Sequence, residues 1–244
     1  MRTVHIADFM DIKPLYLLAD SQLLFWRQGE HLFTRGIRDL IEAEAPKAAY
    51  IGASNGDNPE FYSIFVAAME AAGISHCRMI PSRLQKEDQA FLEEANLVLL
   101  AGGDTEQGWQ VFENNGIKGI IGKKRYDGTV LIGVSAGAMQ LGLGALVGDS
   151  NMKVLELFRF APFYIGAHEE EDEWWNLRAL INLSKTDARG IGIPMGGGAI
   201  YYPDGTLEPV RKPLTEFSKQ GNQLTETLLL PGESSEPVNS GPEP

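Results

Sequence analysis

The 244-residue chain has one cysteine, Cys77, and four histidines. A single thiol excludes an intrachain disulfide and a thiolate metal cluster. In "ISHCRMIP" Cys77 reads as a small buried hydrophobe of a strand, the alternative being a redox-active thiol. Cations are scarce too: 21 Lys and Arg stand against 33 Asp and Glu, a formal net charge of −12. Nucleic-acid binding takes clustered Lys and Arg to displace counterions, so a small-molecule or cationic partner fits better. No segment has the ~20 consecutive apolar residues of a membrane span, and "MRTVHIADFMDIKPL" at the start has no apolar signal core. The expectation is a soluble, cytoplasmic protein with no nucleic-acid or membrane partner.

What is present is an alternation of short apolar runs with longer segments of helical periodicity, the pattern of βαβ units. Strands are expected at 14–19, 48–54, 75–81, 96–104 and 128–134, with helices at 34–45, 59–73, 86–95 and 106–116. The apolar runs carry little polar alternation, which predicts a mostly parallel sheet between helix layers. Further on, 163–168 reads as a strand and 171–185 as a helix. The segments 190–194, 197–210 and 222–232 read as strands joined by tight turns, with Asp204-Gly205 a strong hairpin signal. One α/β domain over 1–232 is expected, followed by a disordered tail at 233–244.

The chemistry centres on "VLIGVSAGAMQLG", residues 130–142. A strand-to-helix turn of small residues lifts its central side chain above the carboxyl edge of the sheet, where α/β folds place ligands. Gly133 and Gly137 give the G-x-S-x-G spacing around Ser135. Two readings of Ser135 stand at this point, a nucleophile and a small residue in a tight turn. Upstream, "LLAGGDT" (99–105) is another strand ending in small residues. Its N–H groups, with that of Ala136, could stabilise the oxyanion of acyl transfer; the plainer reading is an ordinary β-to-α turn. A serine nucleophile needs a base. Of His5, His31, His76 and His168, only His168 lies downstream of the elbow at a strand's carboxyl end, although a surface histidine before a helix has the same pattern.

"AGGDT", "IGVSAGAMQLG", "IGAH" before a helix and "GIGI", in this order over residues 14–210, resemble the peptidase E and cyanophycinase family of serine peptidases. The resemblance implies a three-layer α/β sandwich similar to the class I glutamine amidotransferase domain, to which the strand and turn pattern after residue 190 adds C-terminal β-hairpins. It implies exopeptidase action on small aspartyl or isoaspartyl peptides, with Ser135 as nucleophile, His168 as base, and Gly103 and Ala136 as oxyanion-hole amides. No metal or organic cofactor is required, and a homodimer would fit the family. Asp104 and Thr105 of the glycine turn, and Glu169 and Glu170 after His168, are the substrate-binding candidates.

Three departures stand beside the matches. Where cyanophycinases continue "GIGI" into an acidic pair, this chain has Pro194 and Met195. Peptidase E instead places an aspartate between nucleophile and histidine, which makes Asp149 the leading orienting acid, the alternative being a turn aspartate. The run Glu169–Asp172 replaces a polar, arginine-bearing segment; it reads as a solvated helix start favoured by the dipole, as a subsite for a basic group, or as the source of an acid that orients His168. The first strand runs into "LLADSQLLFW" without the family's glycine-rich turn. Trp26, Trp174 and Trp175 are expected in core or interface packing, the alternative being the lining of a substrate pocket. Two rival functions remain: a binding scaffold that has lost turnover, and a non-peptidase amide hydrolase.

Overall fold

The computed structural model describes residues 12–148 and 152–232. Asp149, His5 and the expected tail lie outside the described residues.

The chain opens with β1 (Leu15–Leu18), a short 3-10 turn at Ser21–Phe25, and a small hairpin of β2 (Arg27–Gln28) and β3 (His31–Leu32) leading into α1 (Phe33–Asp39). Alternating units follow: β4 (Lys47–Ile51), α2 (Pro59–Ala72), β5 (His76–Ile80), α3 (Lys86–Glu94), β6 (Leu97–Leu100), α4 (Thr105–Asn114), α5 (Ile117–Lys124), β7 (Val130–Val134) and α6 (Ala136–Leu141). A hairpin of β8 (Gly144–Val147) and β9 (Lys153–Glu156) precedes β10 (Tyr164–Ala167), α7 (Trp175–Leu183) and β11 (Ala188–Ile193). The described chain ends with β12 (Gly198–Tyr201), β13 (Leu207–Val210), β14 (Leu214–Gln220) and β15 (Gln223–Leu229).

Seven strands form the central sheet in the order β13-β12-β1-β7-β6-β4-β5. The five from β1 to β5 run parallel, and β12 and β13 add an antiparallel hairpin at the β1 edge. Asp204 and Gly205 make its turn, with Gly205 at φ +91° and the Asp204 carboxylate accepting from Thr206 N–H. Strands buried on both faces explain the near-continuous apolar runs. Leu15 and Leu17 of β1 enter one core with Val98, Leu100 and Leu131; Tyr16 and Leu18 enter the other with Leu97, Leu99, Val130 and Ile132. The first core is closed by α3 to α6, the second by α1 and α2. The result is the three-layer α/β arrangement.

The β12-β13 hairpin extends the first sheet, whereas β10, β11, β14 and β15 form a second one, in the order β10-β11-β14-β15. Ile165, Ile191 and Ile193 from β10 and β11 join the first core, so this sheet lies on the α6 side of the central one.

Three expectations need correction. The helix expected over 34–45 stops at Asp39, because the Arg38 guanidinium takes the carbonyls of Ile41 and Ala43 and stabilises a turn before Pro46. The helix α5 was hidden by its own glycines at 116, 119 and 122, which weaken the apolar periodicity. The acidic run does not begin α7: Glu170–Asp172 form a 3-10 turn, then Glu173 (φ +51°) and Trp174 (φ +59°) turn left-handed before the helix starts at Trp175. Burial of the Trp174 ring accounts for that detour. The ring is 6% exposed and packs on Gly166 and Gly192, where any Cβ would approach it to 3.4 Å and 2.7 Å.

Candidate active site

Ser135 follows β7 at the carboxyl edge of the sheet, with φ +49° and ψ −112°, a conformation that is strained for a residue with a Cβ. Its N–H donates to Leu18 O at the end of β1, 2.8 Å away. The flanking glycines are required by close approach. A Cβ at Gly133 would lie 2.5 Å from Gly137 O, and one at Gly137 would lie 2.0 Å from Leu100 O. The backbone folds back on itself in this strand-to-helix turn, so that the central side chain is presented outward.

His168 follows β10 of the second sheet and also has a positive φ, +48°. Its N–H donates to Ile193 O at the end of β11, 2.9 Å away. Its Nε2 lies 2.8 Å from Ser135 Oγ, within the reach needed for proton transfer. The two side chains, 33 residues apart, are thus brought together across the junction of the two sheets.

Gly102 lies directly beside the serine: a Cβ there would be 3.2 Å from Ser135 Cβ and 3.9 Å from Oγ. Gly103 has φ +131° and presses against the carbonyl of Ser54, 2.1 Å from where its Cβ would be. The neighbouring amides of Ala101 and Asp104 are consumed by Ile51 O and Ser54 O. Those of Gly102 and Gly103 have no backbone partner among the described residues. Ala136 N–H opens α6, where no intrahelical acceptor exists. Unspent donors therefore surround Ser135, as an oxyanion site demands. Sequence reasoning named Gly103 and missed Gly102, although "AGGDT" contains both.

A pocket of about 240 Å³ opens on Ser135 and His168, on the face of the sheet covered by α2. Tyr50, Phe61, Phe65 and Leu99 line it, with Asp20, Ser21 and Asn55 among the polar residues of its wall. Sequence reasoning did not find these residues; α2 reads as an ordinary amphipathic helix.

A family model of peptidase family S51 matches residues 15–210. The chain belongs to peptidase family S51. It is therefore a serine-type peptidase. No curated protein matches it. Among solved structures it is similar to a peptidase from an acI-B1 Actinobacterium, with a TM-score of 0.62 and 16% identity over 94% of this chain and 98% of that one. It is also similar to a Listeria monocytogenes EGD-e protein assigned as a peptidase E, with a TM-score of 0.55 and 14% identity over 89% and 98%. At such identities the likeness is one of fold.

The remaining S51 site candidates have structural duties. The Asp104 carboxylate accepts from Gln107 N–H at 2.8 Å and caps α4, and the Thr105 hydroxyl contacts Met139 Sδ. Neither lines the pocket. The Glu169 carboxylate accepts from Leu177 N–H, so it caps α7 from outside the helix. Burial raises its pKa above the usual carboxylate range, and the amide of Leu177, Asn176 and the neighbouring His168 offset part of that shift. Glu170 accepts from Met195 N–H at 2.8 Å, the stretch where cyanophycinases carry their acidic pair. Among the described residues no carboxylate hydrogen-bonds to the second nitrogen of His168. Trp26 packs on Phe33, Trp174 is buried, and Trp175 is 54% exposed; none lines the pocket. Cys77 is half-buried in β5, with its thiol pushed up to about 11 by burial.

Proposed function

We propose that this S51 member hydrolyses short peptides through a covalent acyl-enzyme, with Ser135 as nucleophile and His168 as general base and acid. The observation that carries the reading is the 2.8 Å contact between Ser135 Oγ and His168 Nε2 at a strained elbow beside unspent amides. Neutral His168 accepts the serine proton at Nε2 as Oγ attacks the peptide carbonyl. The amides of Gly102, Gly103 and Ala136 receive the charge that develops on the carbonyl oxygen; each such donor is worth ~3 kcal/mol in the transition state. The imidazolium returns its proton to the leaving amine, and water activated by the same histidine releases the acid. No step calls for a metal or organic cofactor. Asp149, which the resemblance puts forward, remains the proposed orienting acid. The aspartyl and isoaspartyl peptides it implies are the first substrates to test.

The preserved serine–histidine contact favours an enzyme over a scaffold that keeps only the fold. Incubation with a serine-directed fluorophosphonate, followed by peptide mapping, tests this. Wild type should be labelled at Ser135 and hydrolyse short peptides, and Ser135→Ala should lose both. Full peptidase activity in Ser135→Ala would eliminate the mechanism.

A further inference from the structure

The geometry points to a neutral, apolar side chain as what the pocket beside Ser135 takes from the acyl residue of the substrate; this rests on the serine-peptidase reading above. The position of the pocket identifies the subsite. His168 arrives from the second sheet, on the α6 face, and must protonate the leaving amine, so the leaving group lies on that side. The pocket meets Ser135 and His168 at its mouth and runs away from them under α2, where Phe65, Tyr50 and Leu99 belong to the second core. Its rim reaches the glycine amides that would hold the carbonyl oxygen. The side chain of the acyl residue is therefore the group that points into it.

The chemistry of the wall identifies the side chain. Leu24, Phe61, Phe65 and Leu99 make the surface largely apolar, and among the described residues no lysine or arginine lines it. Among the described residues the one carboxylate at its edge is Asp20, held by the N–H groups of Gln22 and Gly196. An aspartyl carboxylate entering here would lose its water, find no cation and approach a second negative charge, a combination that disfavours binding of the charged form. An apolar group meets none of these costs. Phe61 is 49% exposed at the mouth, apolar surface that such a ligand would cover. At about 240 Å³ the pocket exceeds the ~150 Å³ of an apolar cavity that takes up benzene, so a phenyl or isobutyl group fits. The preference thus departs from the aspartyl peptides that the family resemblance implies.

The test compares aminoalkyl phosphonate diphenyl esters that differ only in side chain, benzyl or isobutyl against carboxymethyl, by their rates of covalent labelling of Ser135 in the full chain. Dipeptides with Phe, Leu, Asp or isoaspartate before the same leaving residue supply kcat/KM alongside. The apolar probes should label at least tenfold faster than the carboxymethyl probe. Phe61→Arg, a surface change whose folding is checked by melting, should narrow that ratio by accelerating the carboxymethyl probe. Equal or faster labelling by the carboxymethyl probe in wild type would overturn the pocket assignment while leaving Ser135 as nucleophile. Absence of labelling by every phosphonate and by the fluorophosphonate would overturn the serine mechanism and the pocket assignment with it.

Discussion

Alanine at Gly102 and at Gly103 should have opposite consequences, although the two residues are adjacent. At Gly103 the backbone has φ +131°, and a Cβ would sit 2.1 Å from Ser54 O and 2.5 Å from Ser54 C, both backbone atoms that cannot rotate away. Backbone strain of ~1–3 kcal/mol and overpacking of ~1–3 kcal/mol combine to about 3 kcal/mol of lost stability. For a chain of this size that lowers Tm by roughly 6–12 °C. Gly102 has no positive φ, and its Cβ would meet Ser135 Cβ at 3.2 Å and Val134 O at 3.3 Å, contacts relieved by a shift of a few tenths of an ångström. The fold should tolerate that shift, whereas the serine would lose its alignment. Displacements of about 1 Å cost ~100-fold, so a loss of about tenfold is expected. Thermal melting and the fluorophosphonate labelling rate of Ser135 separate the two effects. Gly102→Ala should melt within a few degrees of wild type and label about tenfold more slowly, while Gly103→Ala should melt well below it. An unchanged Tm in Gly103→Ala, or an unchanged labelling rate in Gly102→Ala, would refute the packing described for this turn.

Two further outcomes follow from buried titratable groups. With its thiol pushed up to about 11, Cys77 should alkylate roughly two orders of magnitude more slowly at pH 8 in the native protein than in guanidinium chloride; comparable rates would contradict its burial. The raised pKa of Glu169 means that folding favours its neutral form, so its contribution to stability is complete below the unfolded carboxyl pKa and is lost as pH rises through the folded value. Glu169→Gln keeps an acceptor for Leu177 N–H and removes that loss. Its urea midpoint should therefore gain on wild type between about pH 4 and pH 7, and a difference largest in acid would contradict the assignment.

The sheet was legible because both faces of each central strand are buried, so apolar runs such as "VLLAGG" and "LIGV" announce themselves without polar alternation. The tight turn around Ser135 was legible for a steric reason: Gly133 and Gly137 face backbone atoms 2.0–2.5 Å from where a Cβ would be, and no larger residue could hold those positions unmoved. His168 could be chosen among four histidines only by its place at a strand end. The pocket gave no such signal. Tyr50, Phe61 and Leu99 come from three separate elements, and each has the residue type that an ordinary strand or helix would bury. The start of α7 was misplaced because four acids look like the first turn of a helix. A tryptophan ring seated over two glycines outweighed the dipole and delayed the helix to Trp175.

The proposed nucleophile and base are each tied by a backbone hydrogen bond to the end of a neighbouring strand, Ser135 to Leu18 and His168 to Ile193, and each of these strands lies in a different sheet. Their separation is consequently set by how the sheets pack. The layer between them is α6, whose Ala138 and Leu141 share one core with Ile165 of β10 and Leu131 of β7. Just after α6, Gly142 lets β10 approach closely, since a Cβ there would lie 2.9 Å from Phe163 O and 3.2 Å from the Ile165 side chain. With both backbones fixed in this way, an acid behind His168, for which Asp149 is proposed, has only the imidazole's own torsions left to orient. Its contribution would be to select the tautomer with a proton on Nδ1 and to stabilise the imidazolium that forms during attack. This separates positioning, which the packing of two sheets and a short helix supplies, from the electrostatic support that a carboxylate adds.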